Sequence, residues 1–328
     1  MEDQKIISFQ DLKNWKESTL ITHQFHADEL HLFHEKLMKT AFQLVHDGMT
    51  TDYGAPPCDF SWFVTGSAGR CEQAIISDQD HGIIFARSTP EIKEYFLTFG
   101  ERITTLLEEL GYPRCEGKVM SSNPVWCQSI AEWEAQMNGW IQSNTWETIR
   151  YVLIFMDSRS LIGNEEFVAH VKSIIYRYID KNPSFVQRLF DNTKHTVKAI
   201  GVLNQFITIQ SGLHTGCIDY KQAAIFPYVN AIRLLAIMEG IEETSTLQRM
   251  KKLSKYEYLL EVHYEHFVQL LHLRLLDKNQ CNYHDSRYIK ITSLEKHEKK
   301  NLKLILKDLE TLQKQIEVTV KRLIRDER

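Results

Sequence analysis

Two aspartates carry the clearest chemical signal in the chain. Asp78 and Asp80 stand two residues apart, directly before a short apolar run that begins at His81. Because side chains alternate along a strand, both carboxylates should lie on one face, with Cβ atoms about 6.5 Å apart. At an effective dielectric near 20, they repel each other by about 2–3 kcal/mol. Divalent cations remove that cost, as in two-metal phosphoryl-transfer sites, whereas an isolated Asp-x-Asp favours a solvated acidic turn.

A glycine turn stands ahead of these aspartates. The aromatic and β-branched run 60–65 predicts a strand that ends at Gly66 and Ser67. The missing Cβ of Gly66 lets backbone N–H groups approach a phosphate, and Ser67 adds a hydroxyl donor. A helix beginning there would favour an anion at its N-terminus. No Lys-Ser or Lys-Thr follows at P-loop spacing. Behind this element, the metal-site interpretation of Asp78 and Asp80 outweighs the acidic turn.

The turn and the aspartate pair together resemble a known signature. Gly66-Ser67 followed by Asp78-x-Asp80 is similar to the signature of the nucleotidyltransferase superfamily of the DNA polymerase β type. The fuller strings resemble a bacterial subfamily, the DUF294-type nucleotidyltransferases, which are related to the protein-PII uridylyltransferases. The matching stretches are 66–73, 77–85, 115–126, 155–159, 218–221 and 230–236. The resemblance therefore covers most of the chain, from about Asp59 into the C-terminal helices.

The resemblance implies a role for each matching residue. Gly66 and Ser67 would hold the triphosphate, and Asp78 and Asp80 would bind the metal. Asp157, at the end of the apolar run 151–156, matches the third catalytic carboxylate, which binds metal and orients or deprotonates the acceptor hydroxyl. The implied cofactor is Mg²⁺ or Mn²⁺, and the implied substrate is ATP or UTP.

Four basic residues are further candidates for nucleotide binding. Arg70 follows the glycine turn, and Lys221 lies in the helical half, where Arg233 is a weaker candidate. Arg159 could meet a phosphate as a planar donor fork or form a salt bridge to Asp157, and the sequence leaves both open.

His81 departs from the pattern of the superfamily. The residue after the second aspartate is usually Asn in that superfamily, and here it is His81. We interpret His81 as a tolerated variant rather than a proton-handling group.

The elements that must position these residues form an α+β pattern. Helical periodicity covers 28–47 and 90–110, and strands are predicted at 60–65, 81–86 and 151–156. After Asn164 only helical patterns occur, and Thr292 with Glu295 fits a capping box ahead of the last helix. The sequence thus predicts an N-terminal helical segment at 1–56, a nucleotidyltransferase domain with a mixed β-sheet at 57–165, and an α-helical substrate-binding domain at 166–328.

The composition of the chain predicts a globular protein. With 328 residues, 43% of them hydrophobic, the chain can bury a core and should be globular. A net charge of −4 gives no general attraction to nucleic acid, so a nucleic-acid partner is disfavoured. The chain has no long apolar stretch and no signal-peptide pattern, and its six scattered cysteines include no CxxC pair. These features predict a cytoplasmic protein with reduced thiols and no membrane partner.

Two residue clusters receive structural interpretations. His23, His26, His31 and His34 lack an obvious acidic or cysteine partner, which favours surface or packing roles over a metal site. The tryptophans could stack on bases, but the sevenfold steps from Trp126 through Trp133 to Trp140 favour one helix face in the core. Trp146 belongs to the same group.

The predicted function is transfer of a nucleoside monophosphate from a nucleoside triphosphate to an acceptor hydroxyl, with release of pyrophosphate. The acceptor would be a small signalling protein, as in PII uridylylation, or a small molecule. A non-catalytic nucleotide sensor of the same fold is the main alternative, and the intact set of three carboxylates argues against it. A polynucleotide-adding enzyme is the least favoured alternative, because the chain is mildly acidic.

Overall fold

A small mixed sheet among many helices gives the α+β fold that the sequence predicts. The computed structural model describes residues 7–22, 27–276 and 285–325. The chain divides into unit 1, which comprises Met1–Gln142 and Asp157–Ile174, and unit 2, which comprises Ser143–Met156 and Ile175–Arg328. Within the described ranges, no helix is long and apolar enough to cross a bilayer.

The helices and strands are numbered in chain order. The helices are α1 (Phe9–Thr22), α2 (Ala27–Tyr53), α3 (Gly66–Gly69), α4 (Pro90–Glu109), α5 (Ile130–Ser143), α6 (Trp146–Phe155), α7 (Glu165–Lys181), α8 (Phe185–Thr193), α9 (Phe226–Met238), α10 (Thr246–Lys252), α11 (Glu257–Leu276) and α12 (Lys296–Arg325). The strands are β1 (Phe60–Val64), β2 (His81–Phe85), β3 (Cys127–Ser129), β4 (Arg159–Gly163), β5 (Cys217–Asp219) and β6 (Tyr288–Lys290).

The boundaries of the two units differ from the boundaries of the three parts predicted from the sequence. Helices α1 and α2 belong to unit 1, although they were assigned to a separate segment at 1–56. Residues 143–156 belong to unit 2, although they lie inside the predicted 57–165 domain. The assignment of nucleotidyltransferase and substrate-binding roles to 57–165 and 166–328 stays a prediction.

Unit 1 is built on a four-stranded sheet in the order β3-β2-β1-β4. Strand β1 pairs antiparallel with both β2 and β4, and β3 adds parallel to β2. Helices α2 and α4 pack against each other, and their apolar side chains share one core with those of the sheet. Aromatic rings fill that core, and each fully buried one contributes about 1.5–3 kcal/mol. They include Phe42, Trp62, Phe85, Phe96 and Phe99.

The two long helices of unit 1 form where the sequence predicts them. Helix α2 contains the predicted 28–47 and continues to Tyr53. Helix α4 begins at Pro90, whose fixed φ suits the first turn, and Thr89 caps it by accepting a hydrogen bond from the Ile92 amide at 3.3 Å. The glycine at 111, with a φ of +87°, follows its end.

The predicted strand at 151–156 is wrong, because this run lies in helix α6. Thr145 and Thr148 form a reciprocal capping box that starts the helix, with 3.2 Å from the Thr148 amide to Thr145 Oγ1. The buried Ile149, Val152, Leu153 and Met156 follow helical spacing. The half-buried Tyr151 and Ile154 make the run look continuously apolar, and so short a run does not separate a helix from a buried strand. The strand beside β1 is β4, immediately after this helix.

Unit 2 is mainly helical, as predicted, with one departure. Strands β5 and β6 form a two-stranded antiparallel sheet after the point where strand signals were expected to stop. Each has three residues, too few to show period two. In α12 one apolar face is buried at Leu302, Ile305, Leu309, Leu312, Ile316 and Val320.

The predicted capping box of the last helix is not formed. Thr292 lies in a 3₁₀ turn before α12, and the helix begins at Lys296. The carboxylate of Glu298 instead accepts a hydrogen bond from the Glu295 amide at 2.7 Å.

Three of the four tryptophans have the predicted core role. Trp126, Trp133 and Trp140 are buried and contact one another, with ring centroids 5.7–6.0 Å apart. Only Trp133 and Trp140 share helix α5, because Trp126 precedes β3, so the single-helix explanation is wrong for Trp126. Trp146 is 50% exposed at the start of α6, and the core interpretation is wrong for it.

Candidate active site

The strand register brings the sequence-predicted site residues of unit 1 to one edge of the sheet. Val64, the last residue of β1, pairs with His81 of β2 and with Arg159 of β4. The Thr65 amide donates to the backbone oxygen of Asp80 at 2.9 Å. The glycine turn after β1, the aspartates before β2 and the residues before β4 therefore meet at the same sheet edge.

Asp78, Asp80 and Cys115 form a cluster at this edge, here named the Asp–Asp–Cys cluster. One ligand atom from each of the three side chains lies within 4.8 Å of the others, and all three residues are partly exposed. Within the described ranges this is the one group of three or more acidic, histidine or cysteine side chains arranged to hold a metal ion. Burial raises the pKa of the Cys115 thiol, and the charge of Asp80, which accepts a hydrogen bond from the thiol, adds to that effect.

Buried and partly exposed side chains alternate along residues 78–81, so the aspartates face the opposite side from Gln79 and His81. Gln79 and His81 are fully buried, while Asp78 and Asp80 face the partly exposed side. The Gln79 side chain donates to the backbone oxygens of Thr104 and Tyr112 at 3.1 and 2.9 Å, and accepts from His81 Nε2 at 2.8 Å. These bonds anchor the segment, so the two carboxylates project from a rigid support.

His81 has a structural role in this anchor. Its Nδ1 accepts a hydrogen bond from the Ser121 amide at 3.3 Å, while its Nε2 donates to Gln79, which selects one neutral tautomer. Burial lowers the pKa of His81 to about 3, so the ring is uncharged near neutral pH. The interpretation of His81 as a variant of the usual Asn stays a prediction.

The glycine turn lies directly against Asp80. Gly66 has a φ of +57°, a conformation that side chains rarely adopt. A Cβ at this position would lie 3.1 Å from Cγ of Asp80, so only glycine admits the carboxylate this close to the turn. Ser67 follows within the four-residue helix α3, where its backbone oxygen accepts from the Glu72 amide at 2.8 Å.

Arg70 and Asp157 form a buried ion pair behind the turn. Arg70 Nη1 donates to Asp157 Oδ2 at 2.7 Å, and Arg70 Nε donates to Glu72 Oε2 at 2.8 Å. Burial alone would lower the pKa of Arg70, but the carboxylates of Glu72 and Asp157 outweigh burial and raise it. Asp157 is 1% exposed and is not a member of the Asp–Asp–Cys cluster. The predicted roles of Arg70 at the nucleotide and of Asp157 at the metal both stay predictions.

Arg159 pairs with a residue that the sequence did not suggest. Its Nη2 donates to Glu35 Oε2 on α2 at 2.9 Å and to the Ala68 backbone oxygen on α3 at 3.3 Å. The alternative of a salt bridge to Asp157 is therefore wrong in this structure, since Arg70 is the partner of that carboxylate. The Arg159 side chain keeps 26% of its surface exposed, so it stays a candidate for a phosphate contact.

The remaining candidates, Lys221 and Arg233, belong to unit 2 and have contacts within it. Lys221 is in unit 2, at the start of a π-helical turn, with Nζ 5.3 Å from the ring centre of Phe226. Arg233 is buried on α9 and donates to Asn230 at 2.8 Å. A contact of Lys221 with the nucleotide stays a prediction.

The N-terminal histidines form no metal site in the described part of the chain. His34 is buried and bonds the Tyr112 hydroxyl at 2.6 Å and the Ala74 backbone oxygen at 2.9 Å, which is the packing role favoured for it. His31 belongs to no metal-binding group among the described residues. His23 and His26 lie outside the described residues.

Sequence reasoning missed Cys115 as a member of the site. Its thiol reaches Asp80 because Gln79 forms a parallel bridge with Arg114, and the Gln79 amide donates to Pro113 at 3.2 Å. An isolated β-bridge involves one residue pair and produces no periodic pattern of apolar residues, so the sequence does not reveal it. The only hint was that Cys115 opens one of the stretches that resemble the DUF294-type proteins.

Comparison with known families gives two matches, which are separated in sequence by residues 148–182. The family model described as "Putative nucleotidyltransferase DUF294" matches residues 17–147. The model described as "Putative nucleotidyltransferase substrate binding domain" matches residues 183–320. The first match contains the glycine turn and the Asp–Asp–Cys cluster. No curated protein matches the chain.

Proposed function

Because this chain belongs to the DUF294 family of nucleotidyltransferases, we propose that it transfers a nucleoside monophosphate from a nucleoside triphosphate to an acceptor hydroxyl, with release of pyrophosphate. The observation that carries the proposal is the convergence of Asp78 and Asp80 beside Gly66. Two carboxylates aimed at one point, next to a backbone stretch that carries no side chain, suit a metal-bound triphosphate.

The residues present fit a divalent metal. Asp78 and Asp80 offer hard oxygen ligands within 4.8 Å of each other, and Mg²⁺ or Mn²⁺ would be held by these two carboxylates. When bound, such an ion neutralises phosphate charge and supports in-line displacement. The turn at Gly66 and Ser67 supplies backbone and hydroxyl donors for the triphosphate, and Arg159 is the basic side chain we assign to a phosphate.

Asp157 is proposed to support the site rather than to act at the reacting atoms. Through Arg70 its carboxylate is linked to Glu72, and its backbone carbonyl approaches Gly69 so closely that a Cβ there would lie 3.1 Å from the carbonyl carbon. Asp157 therefore contacts the segment 69–72, which directly follows the glycine turn. The alternative, a third catalytic carboxylate, predicts a large loss of rate in a folded Asp157→Asn variant.

The acceptor is proposed to be a small signalling protein or a small molecule, with ATP or UTP as donor. A second candidate function is a non-catalytic nucleotide sensor. The observation that favours it is the burial of Asp157 in an ion pair with Arg70, which leaves only two carboxylates in the Asp–Asp–Cys cluster.

One labelling experiment separates these functions. The protein is incubated with each nucleoside triphosphate, labelled at the α-phosphate or at the γ-phosphate, together with Mg²⁺ and a cell lysate fractionated by size. The proposal expects α-label, and no γ-label, to become attached to one acceptor fraction, and expects Asp80→Asn to abolish this. Transfer of γ-label would indicate phosphoryl transfer instead. A protein that binds triphosphate with Mg²⁺ but labels no fraction would support the sensor.

A further inference from the structure

A thiol in a magnesium site is chemically unexpected. Mg²⁺ takes hard oxygen ligands in octahedral geometry, and a sulfur ligand adds nothing to its binding. Thiolates instead select softer ions such as Zn²⁺. The Sγ atom of Cys115 nevertheless lies within 4.8 Å of a carboxylate oxygen of Asp78 and of Asp80, on the partly exposed side of the sheet edge.

The spacing of the three ligand atoms suits one tetrahedral ion. Zn–S bonds of about 2.3 Å and Zn–O bonds of about 2.1 Å place sulfur and oxygen about 3.6 Å apart in tetrahedral geometry. The sulfur–oxygen separations among Asp78, Asp80 and Cys115 are at most 4.8 Å, which exceeds that distance by about 1.2 Å at most. All three residues are partly exposed, which leaves a fourth position to water or to a phosphate oxygen.

We propose that Asp78, Asp80 and Cys115 together bind a thiophilic divalent cation, Zn²⁺ above all, at the position that Mg²⁺ takes with the triphosphate. Binding forms a metal–sulfur bond and releases the thiol proton to solvent, without any change of oxidation state. If the proposed function holds, on which this consequence rests, Zn²⁺ inhibits the enzyme because it competes with magnesium triphosphate for the two carboxylates.

The anchoring of the three residues makes the site preformed. The segment 78–80 is held through the buried Gln79 side chain, and the bridge between Gln79 and Arg114 holds the segment before Cys115 beside it. A preformed set of three ligands binds an ion without the entropic cost of collecting them. Affinity for a thiophilic ion should therefore depend on Cys115 and not on cysteines elsewhere in the chain.

Cadmium provides a spectroscopic probe, because a thiolate bound to Cd²⁺ gives a charge-transfer absorption in the ultraviolet. The full chain is titrated with cadmium chloride in the reduced state. Cys115→Ser and Cys115→Ala are the test variants, with circular dichroism and the melting point of the apo protein confirming that they fold. Cys58→Ser is the matched control, because Cys58 is also a partly buried free thiol but precedes the opposite end of β1.

The proposal expects a saturable absorption band in the unmodified protein and in Cys58→Ser, and its loss in both Cys115 variants. Excess Mg²⁺ with triphosphate should reduce the band in the unmodified protein. An equal band in the folded Cys115 variants would overturn the inference. The inference would also be overturned if the unmodified protein gave no cadmium absorption band although magnesium triphosphate raised its melting point. That result would leave the proposed function intact. A Cys115-dependent band without any triphosphate effect would support the cation site and count against the proposed function.

Discussion

The backbone of Gly66 lies so close to the Asp80 side chain that a methyl group cannot be placed between them. An ideal Cβ on Gly66 would lie 3.1 Å from Cγ of Asp80, and the φ of Gly66 is +57°. The register of β1 and β2 produces this contact, because Val64 pairs with His81 and the residues beyond them continue at the same edge. The glycine and the aspartate therefore form one structural unit.

Gly66→Ala should weaken metal-dependent triphosphate binding beyond its effect on stability. A positive φ costs an alanine about 1 kcal/mol or more, and the new Cβ also has to displace the Asp80 carboxylate. Gly54→Ala is the matched control, since Gly54 has a φ of +84° with no atom within 4 Å of its Cβ position. Melting curves with and without Mg²⁺ and triphosphate should show destabilisation in both variants but a reduced ligand-induced shift only in Gly66→Ala. Equal ligand-induced shifts in the two variants would mean that the Gly66–Asp80 contact has no part in binding.

Asp157→Asn tests whether this carboxylate supports the fold or acts in the reaction. The variant weakens the ion pair to Arg70, and Glu72 remains as a partner, so we expect a loss of about 1–3 kcal/mol in the free energy of unfolding. Asp52→Asn removes the solvent-exposed ion pair to Arg102 and should cost less than about 1 kcal/mol. Chemical denaturation gives both numbers.

The rate of the folded Asp157→Asn variant separates the two roles. If Asp157 supports the site, transfer activity falls only in proportion to the folded fraction. If Asp157 accepts the proton of the acceptor hydroxyl, kcat falls by about a hundredfold or more in fully folded protein. That second result would restore the third-carboxylate role predicted from the sequence.

His263 and His266 of unit 2 should make the folded protein less stable at acidic pH. The Tyr228 hydroxyl lies 2.9 Å from His263 Nδ1, and His266 Nδ1 lies 3.9 Å from Asp308 Oδ2. Burial lowers the pKa of His263 to about 4 and also lowers that of His266. Both folded-state pKa values lie below the ordinary value of 6.5, so the unfolded chain binds more protons in this window. The free energy of unfolding therefore decreases as the pH falls from about 6.5 towards 4.

Melting points measured between pH 7.5 and pH 4 check this effect. His263→Gln should flatten the decline, because it removes one of the groups that gains a proton on unfolding. His297→Gln is the control, since His297 is 71% exposed on α12. The same pH slope in His263→Gln as in the unmodified protein would contradict the account.

The sequence predicts the elements of this fold best where one face of an element is buried. Helices α2 and α4 carry apolar residues at helical spacing, and β1 and β2 are short runs bounded by turn residues, so their positions follow from pattern. Helix α6 buries Ile149, Val152 and Leu153 at helical spacing, but Tyr151 and Ile154 fill the positions between with further apolar side chains, so the run 151–156 resembles a buried strand. The three-residue strands β5 and β6 are too short to carry any pattern.

Local spacing predicts part of the site, and long-range contacts determine the rest. The positions of Asp78 and Asp80 on one side of the chain follow from period two, and their partly exposed placement agrees with it. The neighbours of these residues do not follow from spacing. The bridge between Gln79 and Arg114 brings Cys115 to the site. Arg70 forms an ion pair with Asp157, and Arg159 forms one with Glu35 of α2.

The central claim is that Asp78 and Asp80 form a metal-dependent triphosphate site, and thermal melting tests it most directly. The melting point is measured with triphosphate alone, Mg²⁺ alone and both together, for the unmodified protein, Asp80→Asn and Asp59→Asn. Asp59 is an exposed aspartate at the opposite end of β1 and serves as the matched control. Ligand linkage predicts a rise only with both ligands present, in the unmodified protein and in Asp59→Asn. Asp80→Asn should abolish that rise while its apo melting point stays similar or increases, because a repulsion between carboxylates is relieved. An undiminished rise in Asp80→Asn would contradict the account.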